Sequence, residues 1–184
     1  RCPNCRQPLP AENDDLVLAC PNCAAAVQID DTGLSLAALR YAAPAGAGGP
    51  WPEWAPFWVF AGLIQIHGRD RQGWDAGSEG RAQAFWAGRS RFYAPAYAAT
   101  VEVARQAGRA LLEDEPEWHF VEPPAGVKLR PAVVSAADGR KLLDFIVVTI
   151  EASRKDWLKS LDYSLELVAP ELWALPAGAW RWGP

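Results

Sequence analysis

The chain predicts an α+β protein, a small cysteine module followed by a mixed, largely antiparallel sheet domain with two or so helices. Three observations carry that expectation. All four cysteines of the chain lie in two Cys-Pro-Asn-Cys copies near its start. Leu161, Tyr163, Leu165 and Leu167 alternate with Asp162, Ser164, Glu166 and Val168, the period of a strand with one wet face. Between residues 97 and 152 apolar residues recur instead at helical spacing in two stretches. Strands in both halves with helices between them give the α+β class.

The cysteines come first. Cys2-Pro3-Asn4-Cys5 and Cys20-Pro21-Asn22-Cys23 have the spacing C-x2-C-x14-C-x2-C, which reads as metal ligation. In each copy the proline fixes φ, so the chain turns tightly enough for two sulfurs to reach one ion at about 2.3 Å. Leu16 to Ala19 runs into the second copy and Ala25 to Ile29 runs out of it, so a hairpin is expected to carry one pair and a loop the other. On Cys2, Cys5, Cys20 and Cys23 the chain resembles a zinc ribbon. The residue after each knuckle, often glycine in that family, is here Arg6 and Ala24, so a larger side chain must adopt the turn conformation. The resemblance implies structural zinc held by four thiolates, a closed site with a folding role. Iron in a four-sulfur site is the alternative ion. No signal-peptide pattern opens the chain, which weighs against disulfides. The absence of an initial methionine implies a start upstream of Arg1.

Residues 1–32 form the expected ribbon, 33–50 a linker and 51–184 an aromatic-rich α+β domain. Leu34 to Tyr41 is a short helix or strand docking the ribbon. Ala43 to Pro50, all small residues and proline, is the linker proper. Its Gly46, Gly48 and Gly49 do not make a dinucleotide fingerprint, since no buried strand precedes them and Trp51-Pro52 follows. A dense aromatic block, Trp51 to Phe60, leads into Ala61 to His67, which is apolar on both faces and reads as a buried strand. Gly68 to Gly80 reads as a polar loop, and Ala84 to Tyr93 as a second strand on its aromatic bulk. From Tyr97 to Asp114, Val101, Ala104, Gly108 and Leu111 or Leu112 share a helix face, and Glu113 to Pro116 stops it. Ala125 to Val134 is an edge strand interrupted by Pro131. Ser135 to Asp138 has the form of a capping box, opening a helix through Ala152 that buries Leu142, Leu143, Ile146, Val147 and Ile150. The β-branched run Ile146 to Ile150 argues for a strand, but spacing and cap agree on helix. Leu172 to Pro176 closes the chain as an edge strand.

The net charge is −4. In residues 1–32 two arginines face five carboxylates, and a zinc with four thiolates takes that module to about −5. Phosphate backbones would be repelled, so nucleic acid is a disfavoured partner. No apolar run approaches the ~18 residues that span a bilayer, and a reducing, cytoplasmic location is expected.

Motifs for catalysis are missing: no nucleophile elbow, phosphate loop or zinc-protease helix, and no cysteine outside the knuckles. His67 and His119 read as capping or core-edge residues and not as general bases, and Glu113, Asp114, Glu115 and Glu117 as a solvated turn. The ten tryptophans are in surplus. Most should fill the core, but Trp51, Trp54 and Trp58 crowd the linker, and Trp180-Arg181-Trp182 lies near the last residue. Aromatics and arginine are favoured at interface hot spots, so these five tryptophans are the candidate partner surface, with peripheral membrane contact as a lesser option. Arg69, Arg71, Arg89 and Arg91, interleaved with aromatics, are the candidate nucleic-acid contacts. The expected function is therefore a non-enzymatic zinc-binding adaptor, an accessory subunit of a larger protein assembly. The alternative is a nucleic-acid-binding accessory factor.

Overall fold

The computed structural model describes residues 1–46, 51–72, 77–123 and 128–178. The front module is an antiparallel meander of β1 (Val17–Ala19), β2 (Ala26–Asp30) and β3 (Gly33–Leu36), in that spatial order. Then follow β4 (Leu39–Pro44), β5 (Glu53–Gln72), α1 (Ser78–Ala87), β6 (Arg91–Pro95), α2 (Val101–Asp114) and β7 (Trp118–Val121). The chain continues through β8 (Lys128–Leu129), α3 (Ala136–Ala152), β9 (Trp157–Leu167) and β10 (Glu171–Pro176). Among the described residues the main sheet runs β6-β5-β10-β4-β7, with β8 and β9 joined to β5. Its pairings are antiparallel except β4 with β10 and β5 with β8. The class is α+β, with a mostly antiparallel sheet and three described helices.

The long strand β5 organises the molecule. Up to Ala61 it lies between β6 and β10, and its Ala55, Phe57, Val59 and Phe60 are buried. At Gly62 φ is 152°, and a Cβ there would overlap the Glu166 carbonyl oxygen, so only glycine lets β5 pass into a second pairing. Beyond it β5 pairs with β9 from Gly62↔Leu167 to Gln72↔Trp157, forming a two-stranded arm.

The helices cover one face of this frame. In α2, Thr100 accepts the Val103 N–H as N-cap, and Ala104, Ala107, Leu111 and Leu112 are buried at helical spacing. Ser135 accepts the Asp138 N–H at 3.1 Å and starts α3, so the capped helix prevails over the β-branched run Ile146 to Ile150. The two helices touch where Gly108 meets Ile146; a Cβ on Gly108 would overlap the Ile146 side chain.

Several sequence expectations are corrected. Much of 33–50 is not a linker: β3 completes the front sheet, and β4 sits between β10 and β7, with Tyr41, Ala42 and Ala43 buried. Residues 47–50 lie outside the described residues. The loop expected over 68–80 is the end of β5 and the start of α1, with 73–76 outside the described residues. Ala84 to Tyr93 is not one strand but the end of α1, a turn, and β6. Ala82 and Trp86, four apart, bury one face of α1, and alanine-rich helix propensity outweighs the aromatic bulk. Only Lys128–Leu129 of the proposed 125–134 strand is a strand, and 124–127 lie outside the described residues. β10 is no edge: it lies between β5 and β4, and Leu172 to Pro176 are all buried. The strand β7 was not foreseen.

Candidate metal centre

Each knuckle folds by the same pair of backbone bonds. Arg6 N–H donates to Cys2 O and Cys2 N–H to Gln7 O, both at 2.9 Å; Ala24 N–H donates to Cys20 O and Cys20 N–H to Ala25 O, also at 2.9 Å. Closing those turns puts Arg6 at φ 63° and Ala24 at φ 58°, the left-handed conformation the sequence demanded of two non-glycine residues. Their strain, ~1 kcal/mol each, is tolerated because the backbone bonds fix both turns.

The four Sγ atoms lie within 4.8 Å of one another. Cys2 to Cys23 is 3.7 Å and Cys5 to Cys20 is 3.6 Å, each joining one knuckle to the other. Disulfide sulfurs would be near 2.05 Å. Four sulfurs at about 2.3 Å from a tetrahedral ion are about 3.8 Å apart, so the spacing found fits a metal and not a bridge. Cys2 and Cys20 are buried over Val27, while Cys5 and Cys23 reach the surface. A backbone hydrogen bond from Gln7 pulls the Cys5 thiol down to about 6, and burial pushes Cys20 up to about 11. The Asn4 side chain leads the groups that lower Cys23. Thiolate formation is thus favoured at the exposed rim, where a metal would enter, and the cluster is compatible with a zinc-ribbon-like site.

The module is bonded to the body. Leu16 and Val17 N–H groups donate to Ala132 O at 2.7 and 3.2 Å, and Ala132 N–H returns to Val17 O at 2.7 Å. Around this bridge Val17, Ala96, Ala132 and Leu172 form a dry contact, flanked by Leu39 and Trp58.

The other sequence candidates fare differently. Trp54 is 0 % exposed, edge-on to Tyr41 and Trp51, and so packs the core instead of facing a partner. Trp58 is half-buried against Gly139 and donates its indole N–H to Val134 O at 2.8 Å. Trp51 is half-buried beside Trp54, and Trp180 and Trp182 lie outside the described residues. The four arginines do not share a surface. Arg89 is largely covered and caps two helix ends, donating to Leu112 O at 2.7 Å and Phe85 O at 2.5 Å. Arg91 is exposed near Trp173, and Arg71 is half-buried at the tip of the arm.

Arg69 is wholly buried in a polar cluster that sequence reasoning missed. Its guanidinium clamps Asp156 in a fork and bonds to Glu151 Oε2, the Glu151 carbonyl and Ser78. Glu151 is also fully buried; it accepts from the Trp86 indole at 2.8 Å and from both arms of Arg154. Two cations and two carboxylates balance there, tying β5, α1 and α3 together. Arg69 holds Asp156 down to about 2. Only the apolar phase of β5 hinted at it: Ile64 and Ile66 point inward, and a bulge before Gly68 turns Arg69 inward too.

His67 is exposed and bonded to Ser164 Oγ at 2.9 Å, beside a groove of about 390 Å³ whose lining includes Gln65 and Gln83 but no carboxylate among the described residues. His119 is exposed on β7, and Glu113 pairs with Arg109 at 2.8 Å on the surface. No described helix is long and apolar enough to cross a membrane. No family model, curated protein or solved structure matches this chain.

Proposed function

We propose that the protein is a zinc-binding interaction protein, its front module a zinc ribbon and its body an accessory subunit that docks onto a larger protein assembly. The observation that carries this reading is a tetrad of thiols within 4.8 Å of one another in a module bonded to the body through Ala132. Four sulfur ligands leave no coordination position open, so zinc there shapes a surface and does not activate a substrate. The acids and bases buried under the helices satisfy one another and are a structural tie. The nucleic-acid alternative loses support, because Arg69 and Arg89 are committed to internal bonds.

The test is purification of the tagged, zinc-loaded protein from its own cells, followed by reciprocal tagging of any protein recovered in stoichiometric amount. A complex of defined mass that survives both directions supports the reading. Turnover by the isolated protein that is abolished by His67→Ala would overturn it.

A further inference from the structure

The two-stranded arm leaves β9 with one open edge. Among the described residues β9 pairs with β5 alone. The Val168 N–H donates to Ala61 O at 2.9 Å, so even-numbered residues here aim their backbone groups at β5. By the alternation of an antiparallel strand, those of Leu161, Tyr163, Leu165 and Leu167 point to the open side. The exposed guanidinium of Arg140, donating at 3.3 Å to Leu165 O, marks that side.

The two faces of this edge differ in chemistry. On the inner face Leu161, Tyr163, Leu165 and Leu167 are only partly buried against the core. Helix α3 stands beside them, through Asp144 to the Tyr163 hydroxyl at 2.8 Å. One turn on from Asp144, Val148 is 43 % exposed. On the outer face Asp162 and Glu166 of β9 and Asp70 of β5 are exposed, alongside Ser160, and Ser164 is half-buried against His67. Lys159 sits at the bulge opposite the end of β5.

We propose that this edge takes an extended segment of another protein, with apolar residues at alternate positions and lysine or arginine between them. Its backbone extends the arm to three strands. Its apolar side chains cover Leu161, Leu165 and Val148, and its cations lie beside Asp162, Glu166 and Asp70. A second copy of this chain is the wrong occupant. Antiparallel self-pairing centred on Ser164 sets Asp162 of one copy opposite Glu166 of the other, twice over, like charge against like charge. The inference rests on the interaction-protein reading and names a surface for it.

The experiment uses the full, zinc-loaded chain and a short capped peptide alternating valine with lysine, read by amide hydrogen exchange. The Leu161, Tyr163 and Leu165 amides should exchange at least about tenfold more slowly with the peptide. Asp162→Lys with Glu166→Lys should weaken binding about tenfold or more. Arg140→Ala should tighten it, because the incoming strand displaces that side chain from Leu165 O. Equal protection by a valine–glutamate peptide, protection elsewhere only, or binding indifferent to the charge reversal would overturn the proposal. A native partner that copurifies undiminished with the charge-reversed chain would remove this edge as its site while leaving the interaction-protein reading standing.

Discussion

Arg69 is the residue on which the body's polar order turns. All the donors of its guanidinium are met inside the protein, and losing one partner of such a pair leaves a buried charge uncompensated. Arg69→Ala should cost about 3–5 kcal/mol, measured by urea denaturation. Its partner Asp156 is lowered from 3.8 to about 2 in the fold. A depressed carboxylate stabilises the fold fully above its unfolded value, and that stability is lost as pH falls from about 4 to 2. The melting temperature should therefore drop over that window. Asp156→Asn, already less stable at pH 5, should drop less. In the cysteine module one of the two left-handed residues is Ala24, at φ 58°. Ala24→Gly should relieve the left-handed strain and raise stability by up to about 1 kcal/mol, which a thermal melt would register. A burial of another kind is Tyr41, whose hydroxyl finds no hydrogen-bond partner among the described residues. Tyr41→Phe should leave the melting temperature unchanged or raise it, since no bond is lost.

At the level of elements, the helices with caps were legible and the sheet order was not. Ser135 is a local signal, its side chain meeting an N–H three residues on, and α2 shows in the spacing of Ala104, Gly108 and Leu111; the Thr100 cap emerges only in the structure. Ser135→Ala should cost about 1 kcal/mol. The helix α1 has no side-chain cap, since Gly77 precedes it, and its aromatic residues mimic a strand. β10 looked like an edge because it comes late and follows Pro170. Its central place is set by pairings with β5 and β4, residues more than a hundred positions away, which no local pattern encodes. The bend of β5 belongs here too. Gly62→Ala adds a Cβ onto a neighbouring backbone oxygen at φ 152°, and should cost about 3 kcal/mol or more and unpair β9.

Taken whole, the molecule joins a thiol-rich meander to a mixed sheet, among the described residues, through a backbone bridge at Ala132 and a small apolar contact. The cysteine cluster was legible because knuckle spacing is a local property. Which way each tryptophan faces was not legible, because abundance says nothing of direction: Trp54, expected at a partner surface, is among the most deeply buried side chains, as is Trp86. The same limit hid Arg69, which reads as a surface cation until the bulge in β5 turns it inward. Since Val17 closes over Ala132 and Leu172, loss of metal should propagate from the module into the body's flank and lower the stability of both. The central claim is that Cys2, Cys5, Cys20 and Cys23 hold one metal ion together, and X-ray absorption of the purified protein with metal analysis tests it most directly. One zinc per chain ringed by four sulfurs at about 2.3 Å is the expected result. Oxygen or nitrogen ligands in that shell, or sulfurs paired as disulfides with no metal retained, would contradict it.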